Sequence, residues 1–242
     1  RVAVDEYDKD NLSDFALWKA HTEEDGDIYW EHAALGNGRP GWHIECSVIN
    51  KVAFGANSTD IHTGGVDLVF PHHTNEIAQS QPVMTPGTPF VRHWMHSEHL
   101  QVADEKMAKS KQNFYTLKDL KEKGFSGMDL RYLFLQSHYK TQSNFSWDSL
   151  ESSKTALSKL GNSANSTQAS SGANSLGEEF VNAINNDLNA PKALAAVWDD
   201  KTNITSYAEV LGLKFAVAND ENIDLPEDIQ KLIDDRQKAR DA

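Results

Sequence analysis

Fifteen consecutive residues, Gly161 to Ser175, are drawn only from Gly, Asn, Ser, Ala, Thr and Gln. None of these side chains brings enough apolar surface to join a core, so the stretch reads as a flexible connection and the chain is expected to fold as bodies on either side of it. With 242 residues there is room for that, since domains usually run to roughly 100–200 residues. No apolar run approaches the roughly 20 residues needed to cross a bilayer, which excludes a helical membrane protein.

The two sides differ in period. Before the connection, candidate strands at Ser58 to Phe70 (interrupted by Gly64-Gly65), Phe90 to His96 and Leu100 to Ala103 interleave with a helix at His43 to Phe54, whose Ile44, Val48 and Val52 share one face. Strands interleaved with helices predict an α/β sheet. From Thr116 the pattern turns helical, with helices expected at Leu117 to Lys123, Asp129 to His138 and Ser146 to Leu160, then beyond the connection at Leu176 to Asn186, Pro191 to Asp199 and Pro226 to Arg240. Proline near the start of the last two suits a first turn, where the missing N–H is no loss.

Lys and Arg total 23 against 36 Asp and Glu, a net charge of −13. Such a chain does not attract phosphate backbones indiscriminately, so any nucleic-acid contact is local. The richest stretch is 104–123, with six lysines against four acids, which also suits a solvated helix face. The one cysteine, Cys46, cannot form an internal disulfide. That fits a reducing, cytoplasmic compartment and leaves metal binding or simple burial for the thiol.

Cys46 lies in Gly41-Trp42-His43-Ile44-Glu45-Cys46-Ser47, and His72 follows 26 residues on in Pro71-His72-His73-Thr74-Asn75-Glu76. If Pro71 opens a helix, His72 and Glu76 stand four apart on one face, and His73 points about 100° away. A thiolate, an imidazole and a carboxylate favour Zn²⁺; the same residues also suit a buried thiol beside a surface His/Glu pair. Lys106-Met107-Ala108-Lys109-Ser110 follows a strand-like segment, and its two lysines suit a mobile loop that meets polyphosphate, or plain solvation. Gly64-Gly65 admits close approach of a ligand to the backbone, with Asp67 placed to accept from a sugar hydroxyl, or a tight turn.

Taken together, Gly38 to Ser47, Asp60 to Ser80 and Lys106 to Ser110 resemble the cysteinyl-tRNA synthetases in words, order and spacing. Leu12 to Lys19, Phe114 to Leu117 and Asn186 to Leu194 add weaker matches, so the resemblance spans nearly the whole chain. It implies a Rossmann-like catalytic domain (its later part, 1–115), an all-α stem-contact region (116–160), the linker (161–175) and a helical tRNA-docking bundle (176–242). It implies a zinc ion held by two cysteines, a histidine and a glutamate, of which Cys46, His72 and Glu76 are the matching positions. Trp42 and His43 match residues lining the amino-acid pocket, and Lys106 and Lys109 match the catalytic lysines of the ATP loop. Gly64, Gly65 and Asp67 join Lys109 as the expected ATP contacts.

The implied reaction is ATP-dependent activation of cysteine, with Mg²⁺ accompanying ATP, and transfer to tRNA(Cys), by a cytoplasmic monomer. Related readings are a cysteine:amino-sugar ligase of mycothiol synthesis and a non-catalytic tRNA-binding relative; the tail motif Asp187-Leu188-Asn189 resembles the synthetases. Ala108 stands where the family usually has serine, Thr74 where an acid follows the paired histidines, and Glu98 and Gln112 where glycine is frequent. The first zinc cysteine and the His-Ile-Gly-His motif of such enzymes lie upstream of the residue matching Arg1, so the chain alone is expected to be inactive.

Overall fold

The computed structural model describes residues 14–102, 105–107, 114–166 and 176–215, with two further helical positions at 231 and 236. Lys109, one of the two lysines expected to meet ATP, and nearly all of the helix expected at Pro226 to Arg240 lie outside the described residues. Two compact units are present: residues 1–116 with 137–146, and residues 117–136 with 147–242.

The first unit opens with β1 (Trp18–Ala20), β2 (Trp30–His32) and β3 (Gly36–Pro40), an antiparallel sheet in the order β1-β3-β2. Its last strand feeds α1 (Trp42–Phe54) through Gly41, whose N–H donates to the Leu17 carbonyl at 3.0 Å. Any Cβ at Gly41 collides with the Ala16 carbonyl, so only glycine lets strand and helix meet this closely.

Next come β4 (Thr59–Gly65), a turn at Val69–His73, α2 (Thr74–Ser80) and β5 (Val91–Ser97). β4 and β5 pair in parallel from Thr59↔Val91 to Gly65↔Ser97, which the helical crossover between them makes possible. A third sheet holds β6 (Leu100–Val102) between antiparallel β7 (Glu105–Lys106) and parallel β8 (Ser143–Phe145).

Helix α1 turns a polar side inward. Val48 and Val52 are exposed, Val52 by 82%, whereas His43 and Ser47 are buried. The polar side turns inward because its groups find partners there: Ser47 Oγ donates to Gln79 Oε1 at 2.7 Å, and Asn50 Nδ2 to Thr59 Oγ1 at 2.7 Å. Of the ten buried polar residues among those described, eight fall between His43 and Ser80. A polar interior of this kind depends largely on mutual hydrogen bonding, and it singles this region out as the candidate site.

Among the described residues, the regular elements of the second unit are helices: α3 (Leu117–Glu122), α4 (Gly127–Leu135), α5 (Trp147–Ser166), α6 (Glu178–Asn185), α7 (Ala190–Asp199) and α8 (Ile204–Leu211). Tyr132, Leu157, Leu160, Phe180, Leu194 and Tyr207 anchor one apolar core. Local chemistry sets the helix starts. Ser126 Oγ accepts from the Asp129 N–H at 3.2 Å while Asp129 Oδ2 accepts from the Ser126 N–H at 2.7 Å, a reciprocal cap. Asn189 caps α7 through the Lys192 N–H at 3.2 Å.

Helix α5 runs six residues into the segment whose composition predicts a linker, ending at Ser166. Gly161 lies beneath Phe215 and Ala164 packs against the core, so small residues here serve packing. Among the described residues no helix is long and apolar enough to cross a membrane.

Candidate metal centre

Three elements converge on one point of the first unit. Helix α1 carries Cys46, the turn before α2 carries His72, and α2 carries Glu76. One ligand atom from each of Cys46, His72 and Glu76 lies within 4.8 Å of the others. The expected i,i+4 pair is realised, with His72 Nε2 3.0 Å from Glu76 Oε1. Phe70 breaks from helical geometry (φ −138°, ψ 133°), and Thr74 opens α2 proper, so helical backbone covers both residues.

Glu76 is 1% exposed. Its Oε2 lies 2.7 Å from His62 Nε2. Its Oε1 has no hydrogen-bond partner, because the short approach of His72 Nε2 is not aligned as a hydrogen bond. A buried carboxylate oxygen left unsatisfied costs about 1–3 kcal/mol unless something else engages it. Two lone pairs and a thiol facing a shared point are what a cation would use, and the S, N and O donors fit Zn²⁺.

The surroundings are rich in imidazole. His43 Nδ1 is 2.8 Å from His72 Nδ1, and His73 Nδ1 is 2.7 Å from His96 Nε2. His62, His73 and Glu76 form a second group whose ligand atoms lie within 4.8 Å of one another. Burial, then the neighbouring imidazoles of His62, His96 and His72, push the His73 pKa down to about 4, so His73 is neutral at pH 7. Burial, followed by the nearby Glu76 carboxylate, raises the Cys46 pKa. The thiol stays protonated until a cation reverses that balance.

The other expected site residues fall around this cluster or apart from it. Trp42 is 53% exposed, with its ring 4.4 Å from that of His72, beside the Cys46, His72 and Glu76 group. His43 is buried behind His72. Gly64 and Gly65 end β4, at the carboxyl end of the parallel pair, where ligands of open α/β sheets gather. The space a Cβ on Gly64 would take belongs to the His73 ring, 2.7 Å away, so this glycine first serves the histidine cluster. Asp67 Oδ1 lies 3.8 Å from His99 Nε2. Lys106 lies in β7.

Sequence reasoning left out His62 and His96. Their signal was available: each lies on a strand beside the double glycine or in the run Arg92-His93-Trp94-Met95-His96, but only pairing of β4 with β5 brings them together.

The family described as tRNA synthetases class I (C) catalytic domain matches residues 1–155. A cysteine–tRNA ligase of Chlamydia muridarum is 40% identical over 278 residues, covering 99% of this chain and 58% of that protein. One of Chlamydia caviae is 43% identical over 274 residues, covering 99% and 56%. The chain therefore spans little more than half the length of these relatives. In fold, it is similar to LeuRS of Agrobacterium radiobacter, solved as a LeuRS–tRNA–LeuAMS ternary complex, with a TM-score of 0.51 at 11% identity over 78% of this chain and 30% of that one. Strands, crossover helix and motifs agree with the match in sequence, and the chain belongs to the class I tRNA synthetase catalytic-domain family.

Proposed function

We propose that this chain carries the thiol-recognising metal shell and part of the nucleotide site of a cysteine–tRNA ligase, which activates cysteine with ATP and transfers it to tRNA(Cys). The observation that carries the reading is the convergence of Cys46, His72 and Glu76, whose donor atoms share one small volume around an unsatisfied carboxylate oxygen.

Cys46, His72 and Glu76 would hold Zn²⁺, which would supply a Lewis acid that prefers a soft sulfur donor to the harder serine hydroxyl. The residues of the chain do the rest. Trp42 walls the approach to His72 and limits the room beside it. Asp67 receives a ribose hydroxyl of ATP near the ends of β4 and β5, with Gly64 and Gly65 keeping that edge low. Lys106 and Lys109 bring positive charge to the phosphates, which Mg²⁺ accompanies, as the cysteine carboxylate attacks and pyrophosphate departs.

In this reading, residues 1–115 belong to the Rossmann-like domain, 116–160 to a stem-contact region and 176–242 to a helical bundle that docks tRNA. Lys121, Lys154 and Lys214 rim a groove of about 720 Å³ in the second unit, a local positive surface on a chain of charge −13 that suits an RNA backbone. A lone cysteine and a part in translation suit the cytoplasm.

Titrating the Co²⁺-loaded chain with cysteine and with serine tests the pocket directly. Cysteine is expected to add sulfur-to-cobalt charge-transfer absorption and serine to add none. Equal responses to the two amino acids, or no response to cysteine, overturn the proposal.

A further inference from the structure

We propose that His62 and His43 are positioning residues for this metal shell: His62 aims the Glu76 carboxylate and His43 fixes the ring and tautomer of His72. The inference rests on the metal reading above and adds to it the pair of groups that decides which atoms face the ion.

Glu76 and His72 each present two candidate atoms, and in each case a neighbouring imidazole has taken one. Glu76 Oε2 is held by His62 Nε2 at 2.7 Å, which leaves Oε1 as the oxygen with no hydrogen bond of its own. His72 Nδ1 is held by His43 Nδ1 at 2.8 Å, which leaves Nε2, the atom 3.0 Å from that same Oε1. The two remaining atoms are adjacent, and Cys46 shares their volume. With His72 Nε2 serving the ion as a lone pair, its Nδ1 must carry the proton. His72 therefore donates to His43, and His43 keeps its own proton on Nε2.

Both helpers are themselves held. His43 is 3% exposed and sits three residues before Cys46 on α1, so a ligand and the group orienting another ligand move as one rigid body. The His62 ring is bounded by His73 at 4.7 Å and by Trp94 at 4.9 Å between ring centroids, and its backbone is locked by pairing with Trp94 across β4 and β5. A side chain confined this way sets the carboxylate angle without entering the shell, as outer hydrogen bonds to metal ligands do.

The test compares substitutions that keep the hydrogen bond with ones that keep only the volume. Zinc affinity is read by competition against a chromophoric chelator, and Co²⁺ spectra report coordination. His62→Leu and His43→Phe are expected to weaken zinc binding about 10–100-fold and to alter the cobalt bands. His62→Gln, which can donate to Oε2, and His43→Gln, which can accept from Nδ1, are expected to restore most of the affinity. Should either apolar variant fail to fold, the other pair reads the same relation. If the apolar and glutamine variants bind zinc alike while Cys46→Ser loses it, the positioning role is wrong and the metal site stands. If Cys46→Ser leaves zinc binding unchanged, the metal reading itself falls.

Discussion

Glu76→Gln separates what this carboxylate costs the fold from what it contributes to a bound ion. The parent buries a carboxylate that is 1% exposed, with Oε2 on His62 and Oε1 unsatisfied. Replacing it by an amide of the same shape relieves an orphan worth about 1–3 kcal/mol and gives up roughly 1 kcal/mol as the bond from His62 loses its charge assistance. The variant is therefore expected to be more stable than the parent by about 1 kcal/mol in the presence of a chelator. Zinc reverses the order. At a free concentration one hundred times the parent Kd, binding adds about 2.7 kcal/mol; a variant bound about 100-fold more weakly gains only about 0.4 kcal/mol. Urea unfolding followed by tryptophan fluorescence measures both, since Trp18, Trp30, Trp42 and Trp94 lie in the first unit. A variant that is less stable than the parent under chelator and gains as much from zinc would show that Glu76 neither strains the fold nor binds the ion.

Asp25 provides a pH prediction away from the site. The backbone N–H of Thr22, then the Arg39 guanidinium at 2.9 Å, hold its pKa down at about 2 against an ordinary 3.8. The folded value is the lower one, so the stabilisation is complete above 3.8 and is lost as pH falls through about 2. A carboxyl NMR titration checks it: a midpoint near the ordinary value contradicts the geometry. In the second unit, Phe180 is 1% exposed and its ring centroid lies 4.6 Å from that of Tyr207. Phe180→Ala is expected to cost about 3–5 kcal/mol in urea unfolding of that unit. Ser126→Ala removes the α4 cap and should cost about 0.5–2 kcal/mol; an unchanged unfolding midpoint in either variant tells against the packing described.

Much of the site was legible because its chemistry is written in short words. Cys46 is the sole thiol, and the spacing of His72 and Glu76 needs only one helical turn to unite them. The groups behind them were not legible. His62 of β4 meets Glu76 only where that strand and α2 come together, and His96 meets His73 only because β5 pairs alongside β4; both are long-range properties. The direction of α1 is likewise not written in its own sequence: an apolar stripe such as Ile44, Val48 and Val52 normally turns inward, but here Val48 and Val52 are exposed while His43 and Ser47 are buried. Helix α8 does carry a periodic signal, with Ile204, Tyr207, Ala208 and Leu211 all buried, in a stretch too short to stand out. The β1-β3-β2 sheet escaped notice because Gly36-Asn37-Gly38-Arg39-Pro40 has the composition of a turn.

X-ray absorption at the zinc edge of the metal-loaded chain reads the donor atoms around the ion themselves. A shell with one protein sulfur at about 2.3 Å and nitrogen or oxygen neighbours at about 2.0–2.2 Å is expected, with the sulfur signal lost in Cys46→Ser. A shell of nitrogen and oxygen alone in the parent, or a sulfur signal that survives Cys46→Ser, contradicts this assignment.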